Sequence, residues 1–259
     1  MLPKTELLAH VEDSDSATRV IDQAEQALRT WEVVMTDFLS PPQWMDVEQM
    51  FQRLTEVTVV VWGGYPQAER QRAAIARPEL PLEPQSVDLA AIDIVGNFLF
   101  DSASHRDFLG SILGTGIVRG KVGDIIVLGE RGAQAIVTPD LVDFLEMSLT
   151  QVRSVPVKTR RIDLSELKVR EPRKKELTTV EASMRLDAIA SAGFGMSRSK
   201  MVDLITTGDV RVNWRSVKQA SHPVKSGDLV AIRGKGRLQV GDVAVTKKER
   251  YRVQLTRFM

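Results

Sequence analysis

Arg185-Leu186-Asp187, Ile189, Gly193, Ser197-Arg198-Ser199, Leu204-Ile205, Gly208, Val210, Val212-Asn213, Val224, Gly227-Asp228, Val230, Ile232 and Gly234-Lys235-Gly236-Arg237 succeed one another between Met184 and Arg237. Leu186, Ile189 and Ala190 make an apolar stripe on a short helix, which Gly193 is expected to end in the left-handed conformation. Ser197 is the expected N-cap of a second helix, with Met201, Leu204 and Ile205 on its core side and Gly208 as its stop. Val210 and Val212, then Val217, then Leu229, Val230 and Ile232 read as strands parted by turn residues at Asn213, Pro223 and Ser226-Gly227-Asp228. The expectation is two helices packed on a small twisted sheet. Arg198 and Lys200 fall in the first turn of the second helix, where positive charge opposes the helix dipole. An external anion such as a phosphate accounts for them better than helix stability does.

Charge supports an anionic partner for this end of the chain. The formal net charge of the 259 residues is +1. That average hides a split, because residues 1–150 hold 11 Lys and Arg against 23 Asp and Glu, whereas the remainder holds 24 against 11. Segregation on this scale is a signature of nucleic-acid contact through the basic half, with a merely solvated basic surface as the alternative. Cysteine is absent, and His10, His105 and His222 are far apart in sequence, so thiolate and imidazole metal sites are not expected and no cofactor is implied. No apolar run is long enough to cross a bilayer, and the polar start does not resemble a signal peptide; the expectation is a cytosolic monomer.

Upstream, the pattern implies two further domains in an α+β chain. Val20, Ala24, Ala27, Leu28, Val34, Phe38 and Leu39 recur at helical spacing until Ser40-Pro41-Pro42, and a second helix is expected over Trp44–Leu54. Val57–Trp62 reads as a strand before the turn Gly63-Gly64-Tyr65-Pro66, and Glu69-Arg70-Gln71-Arg72 as the start of another helix. A Pro-rich stretch then closes a mainly helical domain over residues 1–85. Residues 86–168 carry the order β-α-β-β-α-β, which is the split-βαβ order of RRM-like domains. Its central strands, Ile125-Ile126-Val127 and Ala135-Ile136-Val137, lack the aromatics on which RRM domains stack bases. Between them and the first helix lies the Gly-rich loop Gly114–Asp124, in which Arg119, Gly120 and Lys121 are candidates for contact with an RNA backbone; a plain flexible turn is the alternative. Neither a Walker A nor a Rossmann fingerprint is present. Residues 169–180 read as a basic linker and 181–259 as the domain quoted first, with a C-terminal hairpin extension.

The Met184–Arg237 pattern resembles the S-four RNA-binding domain, with its αL-like motif, shared by the small-subunit ribosomal protein four, tyrosyl-tRNA synthetases, pseudouridine synthases and small ribosome-associated stress proteins. The wider chain is similar to YlmH-like proteins, including the cyanobacterial and plastid branch labelled photosystem II S-four proteins. That similarity is carried by Gly63-Gly64-Tyr65, Ala68-Glu69-Arg70, Leu109–Gly114 and Gly123-Asp124-Ile125. It implies an RNA face made of Arg185, Ser197, Arg198, Lys200, Arg211, Arg215 and Lys218, with Lys225, Lys235 and Arg237 beside it. Many S-four domains place Asn-Gly where this chain has Asn213-Trp214, so Trp214 either stacks on a base or ribose or is buried against the sheet. The implied partner is structured RNA, ribosomal RNA or tRNA on the large ribosomal subunit, in ribosome quality control or rescue. The family label also brings a photosynthesis-linked assembly role, and an RNA-modifying enzyme stands third.

No catalytic residue is expected. Arg185-Leu186-Asp187 matches the triplet of pseudouridine synthases but lies inside the S-four helix. Met196-Ser197-Arg198-Ser199-Lys200 resembles the signature loop of class I synthetases without the rest of their apparatus. Asp13 with Asp15, and Asp101 with His105, are better read as solvated helix-start residues than as acid/base pairs.

Overall fold

The structure, a computed structural model, describes residues 2–9, 11, 13–170 and 173–258, so His10 and the Glu171-Pro172 step of the expected linker lie outside it. It divides into two compact units, Met1–Val169 and Arg170–Met259. The first unit begins with α1 (Lys4–Leu7), α2 (Ser14–Thr30), β1 (Val34–Met35), α3 (Pro41–Phe51), β2 (Thr58–Trp62) and β3 (Arg72–Ala76). Asp13 caps α2 by accepting from the Ser16 N–H at 3.0 Å, and Val20, Ile21, Ala24 and Ala27 bury its apolar stripe.

Helical spacing over Val34, Phe38 and Leu39 proves misleading. The helix stops at Thr30, where Trp31 takes a left-handed cap at φ 60° under the Arg77 guanidinium, and Val34 enters a strand. The helix expected from Glu69 is likewise a strand. The Ala-rich run Arg72–Ala76 is the central strand of the order β1-β3-β2, and all five residues are buried. Burial between two partners overrides the helical propensity of alanine.

The unit continues with β4 (Ala90–Val95), α4 (His105–Gly114), β5 (Val122–Val127), β6 (Gly132–Val137), α5 (Val142–Ser148), the small hairpin β7 (Gln151–Val152) and β8 (Val155–Pro156), and β9 (Lys158–Ile162). The antiparallel order β5-β6-β4-β9 is that of the split-βαβ fold. Ile92, Ile94, Ala133, Ala135 and Val137 pack with Phe108, Ile112, Val142 and Leu145 from the helices. The opposite face, open in RRM domains, is partly covered here by the chain itself. Gln134, 2% exposed, donates to the Glu166 carbonyl at 3.2 Å and accepts from the Lys168 N–H at 2.7 Å. Gly64, at φ +94°, lies so close that a Cβ there would sit 3.0 Å from Ile136 and 3.3 Å from Leu164. Missing aromatics on β5 and β6 thus coincide with a covered stretch of this face, whereas Val95 and Arg160 on its β4–β9 side stay exposed.

The second unit holds β10 (Lys174–Glu181), α6 (Leu186–Phe194), α7 (Arg198–Thr207), β11 (Val210–Val212), β12 (Arg215–Ser216), β13 (Leu229–Ile232), β14 (Gly236–Val245) and β15 (Tyr251–Phe258). Most of the expected basic linker is therefore β10, paired with β15 from Lys174↔Phe258 to Glu181↔Tyr251. It is the edge strand of the six-stranded order β10-β15-β14-β13-β11-β12, which is why its outward residues are polar. Leu186, Ile189, Met201 and Ile205 pack on Val210, Val230, Ile232, Leu238, Val240, Val253 and Leu255.

Gly193 does not end α6 as expected. Gly195 does so, at φ +67°, with the Met196 N–H bonded to the Ser191 carbonyl at 3.0 Å. Gly193 is needed for space, because a Cβ there would lie 2.2 Å from Leu238 Cδ2. Gly193→Ala is expected to cost about 1–3 kcal/mol through overpacking, read as a lower urea midpoint of the full chain; an unchanged midpoint would show that Leu238 yields freely.

Candidate nucleic-acid interface

Arg185, Ser197, Arg198 and Lys200 come together at the start of α6 and α7. At their centre is Asp187, 3% exposed, in the first turn of α6. Its carboxylate accepts from Arg185 Nε and Nη2, both at 3.1 Å, and from Arg198 Nε at 3.1 Å and Nη2 at 3.2 Å. Burial pushes the Asp187 carboxyl upward, but the bonds from Arg185 and Arg198 outweigh it and hold the group below the usual carboxylate range. The Arg185 guanidinium is stabilised in turn by its hydrogen bond with Asp187.

An internal anion, Asp187, thus accounts for Arg198 where an external phosphate was expected to explain it better than helix stability. Both arginines remain accessible, with side chains 43% and 56% exposed, so the carboxylate fixes their planes while leaving an edge of each to solvent. Ser197 caps α7 by accepting from the Lys200 N–H at 3.3 Å, and Lys200 is exposed beside it.

The other expected residues lie elsewhere in the unit. Lys218 is next to Gly208, the C-cap of α7, so it sits at the opposite end of that ten-residue helix from Arg198. Arg211 pairs with Ala231, and Ala231 with Arg237, on the sheet face that alternates away from the helices. Lys225 is exposed at a turn that Asp228, 5% exposed, holds by accepting from the Lys225 N–H at 2.8 Å and from Asn213 Nδ2 at 2.9 Å. Lys235 is exposed between Gly234 and Gly236, both at positive φ. Arg215 pairs with Val212 across a two-residue hairpin whose tip, Asn213-Trp214, has φ 48° and 65°. That geometry is a type I′ turn, in which tryptophan pays about 1–2 kcal/mol relative to glycine. The ten residues are therefore spread over the helix starts, the far end of α7, the outer sheet face, the β11–β12 hairpin and two turns rather than one patch.

Arg119, Gly120 and Lys121 are engaged inside the first unit. Arg119 donates to the carbonyl of Val122, Lys121 pairs with Asp37 at 3.0 Å, and the Gly120 carbonyl accepts from the Phe38 N–H at 2.7 Å. Asp124 accepts from the Tyr65 hydroxyl and the Glu69 N–H at 2.7 Å and from the Arg70 N–H at 3.0 Å. Arg70 reaches the carbonyls of Val122 at 3.0 Å and Phe38 at 2.6 Å. The Gly-rich loop is thus a joint that locks residues before 85 onto the split-βαβ sheet. Asp187, Asp124 and Asp228 were all missed as organisers in the sequence, where each reads as a helix-start or turn carboxylate. Asp13 is the α2 cap, and Asp101 pairs with Arg153 at 3.0 Å. Among the described residues no group of His, Asp or Glu is placed to hold a metal, and no helix is long and apolar enough to cross a membrane.

Comparison with known proteins accounts for this architecture. Family models match in sequence, described as YlmH, N-terminal over residues 12–80, as a putative RNA-binding domain in YlmH over 83–166, and as an S4 domain over 184–230. A Bacillus subtilis (strain 168) protein, ribosome-associated protein quality control protein P2, is 34% identical over 242 residues, covering 92% of this chain and 93% of its own. The chain belongs to the YlmH family. Among solved structures, the cell division protein ylmH from Streptococcus pneumoniae matches with a TM-score of 0.54 at 20% identity, over 62% of this chain and 96% of its own, and shows the fold. These matches are to the YlmH family at large and do not single out its cyanobacterial and plastid branch. The S-four match covers residues 184–230, so β14, β15 and β10 lie outside it.

Proposed function

We propose that this YlmH protein is a non-catalytic RNA-binding factor that works in the cytosol as a monomer and holds structured ribosomal RNA and tRNA on the large ribosomal subunit, in quality control or rescue of obstructed particles. The observation that carries the proposal is the Asp187 clamp, which presents two oriented, solvent-accessible arginines beside exposed Lys200. Oriented guanidinium groups suit phosphate oxygens, and RNA helices offer phosphates and 2′-hydroxyls rather than readable major-groove edges. Charge agrees, since residues 170–259 hold 19 Lys and Arg against 9 Asp and Glu. The acidic N-terminal domain, residues 1–85, repels phosphate and is assigned to protein contacts.

The test is co-sedimentation of the full chain with large ribosomal subunits across a salt series. Lys200→Glu with Lys218→Glu changes two exposed side chains and leaves the clamp intact. Binding should weaken by roughly tenfold or more, with the slope of log affinity against log salt reduced by about one to two. An unchanged slope would remove the α7 ends from the RNA face.

A further inference from the structure

Trp214 is the one residue at the β11–β12 tip that the fold does not explain. Asn213 is fixed by Asp228 and by the Leu229 N–H, which donates to its Oδ1 at 2.9 Å, and asparagine tolerates positive φ. Tryptophan adopts it only at a cost, as Trp31 also does, and a glycine would form the same turn without strain. Core packing does not compensate. The indole is partly exposed and is not among the side chains that pack on the core of this unit. Its ring instead meets the Arg237 guanidinium, 5.9 Å from the ring centroid.

Arg237 lies on the sheet face away from α6 and α7. The register carries a single row across that face: Ser216, Arg211, Ala231, Arg237, Phe258 and Lys174. Each of these residues is exposed or half-exposed. A strained aromatic beside Arg237 in a row that also contains Arg211 and Lys174 combines a stacking surface with cations that follow a phosphate backbone.

We infer that Trp214 and Arg237 form a stacking site for an unpaired RNA base, separate from the Asp187-centred helix-end cluster. The inference rests on the RNA-binding role proposed above and adds the ligand class: a base unstacked from a loop or bulge, its plane on the indole and its neighbouring phosphate on Arg237 or Arg211. Duplex RNA has no such base to offer, so the site distinguishes a structured loop from a plain stem.

The experiment uses the full chain and two RNA probes of equal length, a stem-loop with unpaired purines and a blunt duplex. Trp214→Gly should bind the stem-loop roughly tenfold more weakly and the duplex as the wild type does. Its melting temperature should equal or exceed that of the wild type, because glycine removes the strain. Trp214→Phe should keep most of the stem-loop affinity, and Trp214→Leu should lose it. The inference is overturned if Trp214→Gly binds the stem-loop as the wild type does, if it weakens both probes equally, or if Phe and Leu behave alike. A wild-type chain that binds neither probe would overturn the RNA-binding role together with this site.

Discussion

Asp124→Ala should lower the stability of the Met1–Val169 unit by about 3 kcal/mol, while Tyr65→Phe should cost about 1 kcal/mol. The carboxylate accepts three hydrogen bonds, two of them from backbone N–H groups. A bond to a charged acceptor is worth about 1.5–3 kcal/mol. The three are not additive, since they share one half-exposed group that water partly replaces. Arg70 adds to the loss. Burial lowers its guanidinium to about 10, the nearby Arg119 pushes the same way, and Asp124 opposes both. Without Asp124, two partly buried cations face each other with no anion between them. Urea unfolding followed by indole emission reports on this unit through Trp31, Trp44 and Trp62. An Asp124→Ala midpoint equal to that of wild type would show that the joint is held by packing of Phe38 on Gly123 alone.

That joint marks a limit of what the sequence discloses. Gly63-Gly64-Tyr65, Ala68-Glu69-Arg70 and Gly123-Asp124 stand out as a resemblance, yet nothing in their spacing says that they touch, because more than fifty residues separate Tyr65 from Asp124. The same distance problem hides β10. Its partner β15 lies some eighty residues downstream, and one exposed edge with polar outward residues looks like a linker until the partner is known. Short-range chemistry was legible: the Ser197 cap, the Gly208 stop and the β-α-β-β-α-β order all rest on local periodicity and turn residues. Gly193 and Gly195 were not distinguishable, because choosing between them requires knowing that Leu238 packs against the helix. The candidate cations were legible as residue types, whereas their division between helix ends, sheet face and hairpin tip depends on strand register.

Asp187→Ala tests whether the helix-end cluster is an organised phosphate site, because two effects pull its RNA affinity in opposite directions. Removing a negative charge beside a polyanion site should tighten binding on Coulombic grounds. Removing the group that fixes Arg185 and Arg198 should weaken it, since each arginine must then be immobilised on binding at about 0.5–1.5 kcal/mol. The clamp makes four bonds to one buried carboxylate, so orientation is expected to win. Affinity should fall by roughly fivefold to a hundredfold, although Asp187 itself is buried. Stability should fall as well, by about 1–3 kcal/mol, less than for a fully buried pair because both arginines reach solvent. The acid limb separates this effect from general damage. The folded carboxyl is held below its unfolded value, so its contribution is complete above about pH 4 and is lost as pH falls through the lowered folded value. The stability gap between wild type and Asp187→Ala should therefore close only at acid pH. If Asp187→Ala binds RNA more tightly than the wild type, the Coulombic effect outweighs orientation, and the Asp187 clamp is not what makes the helix-end cluster a phosphate site.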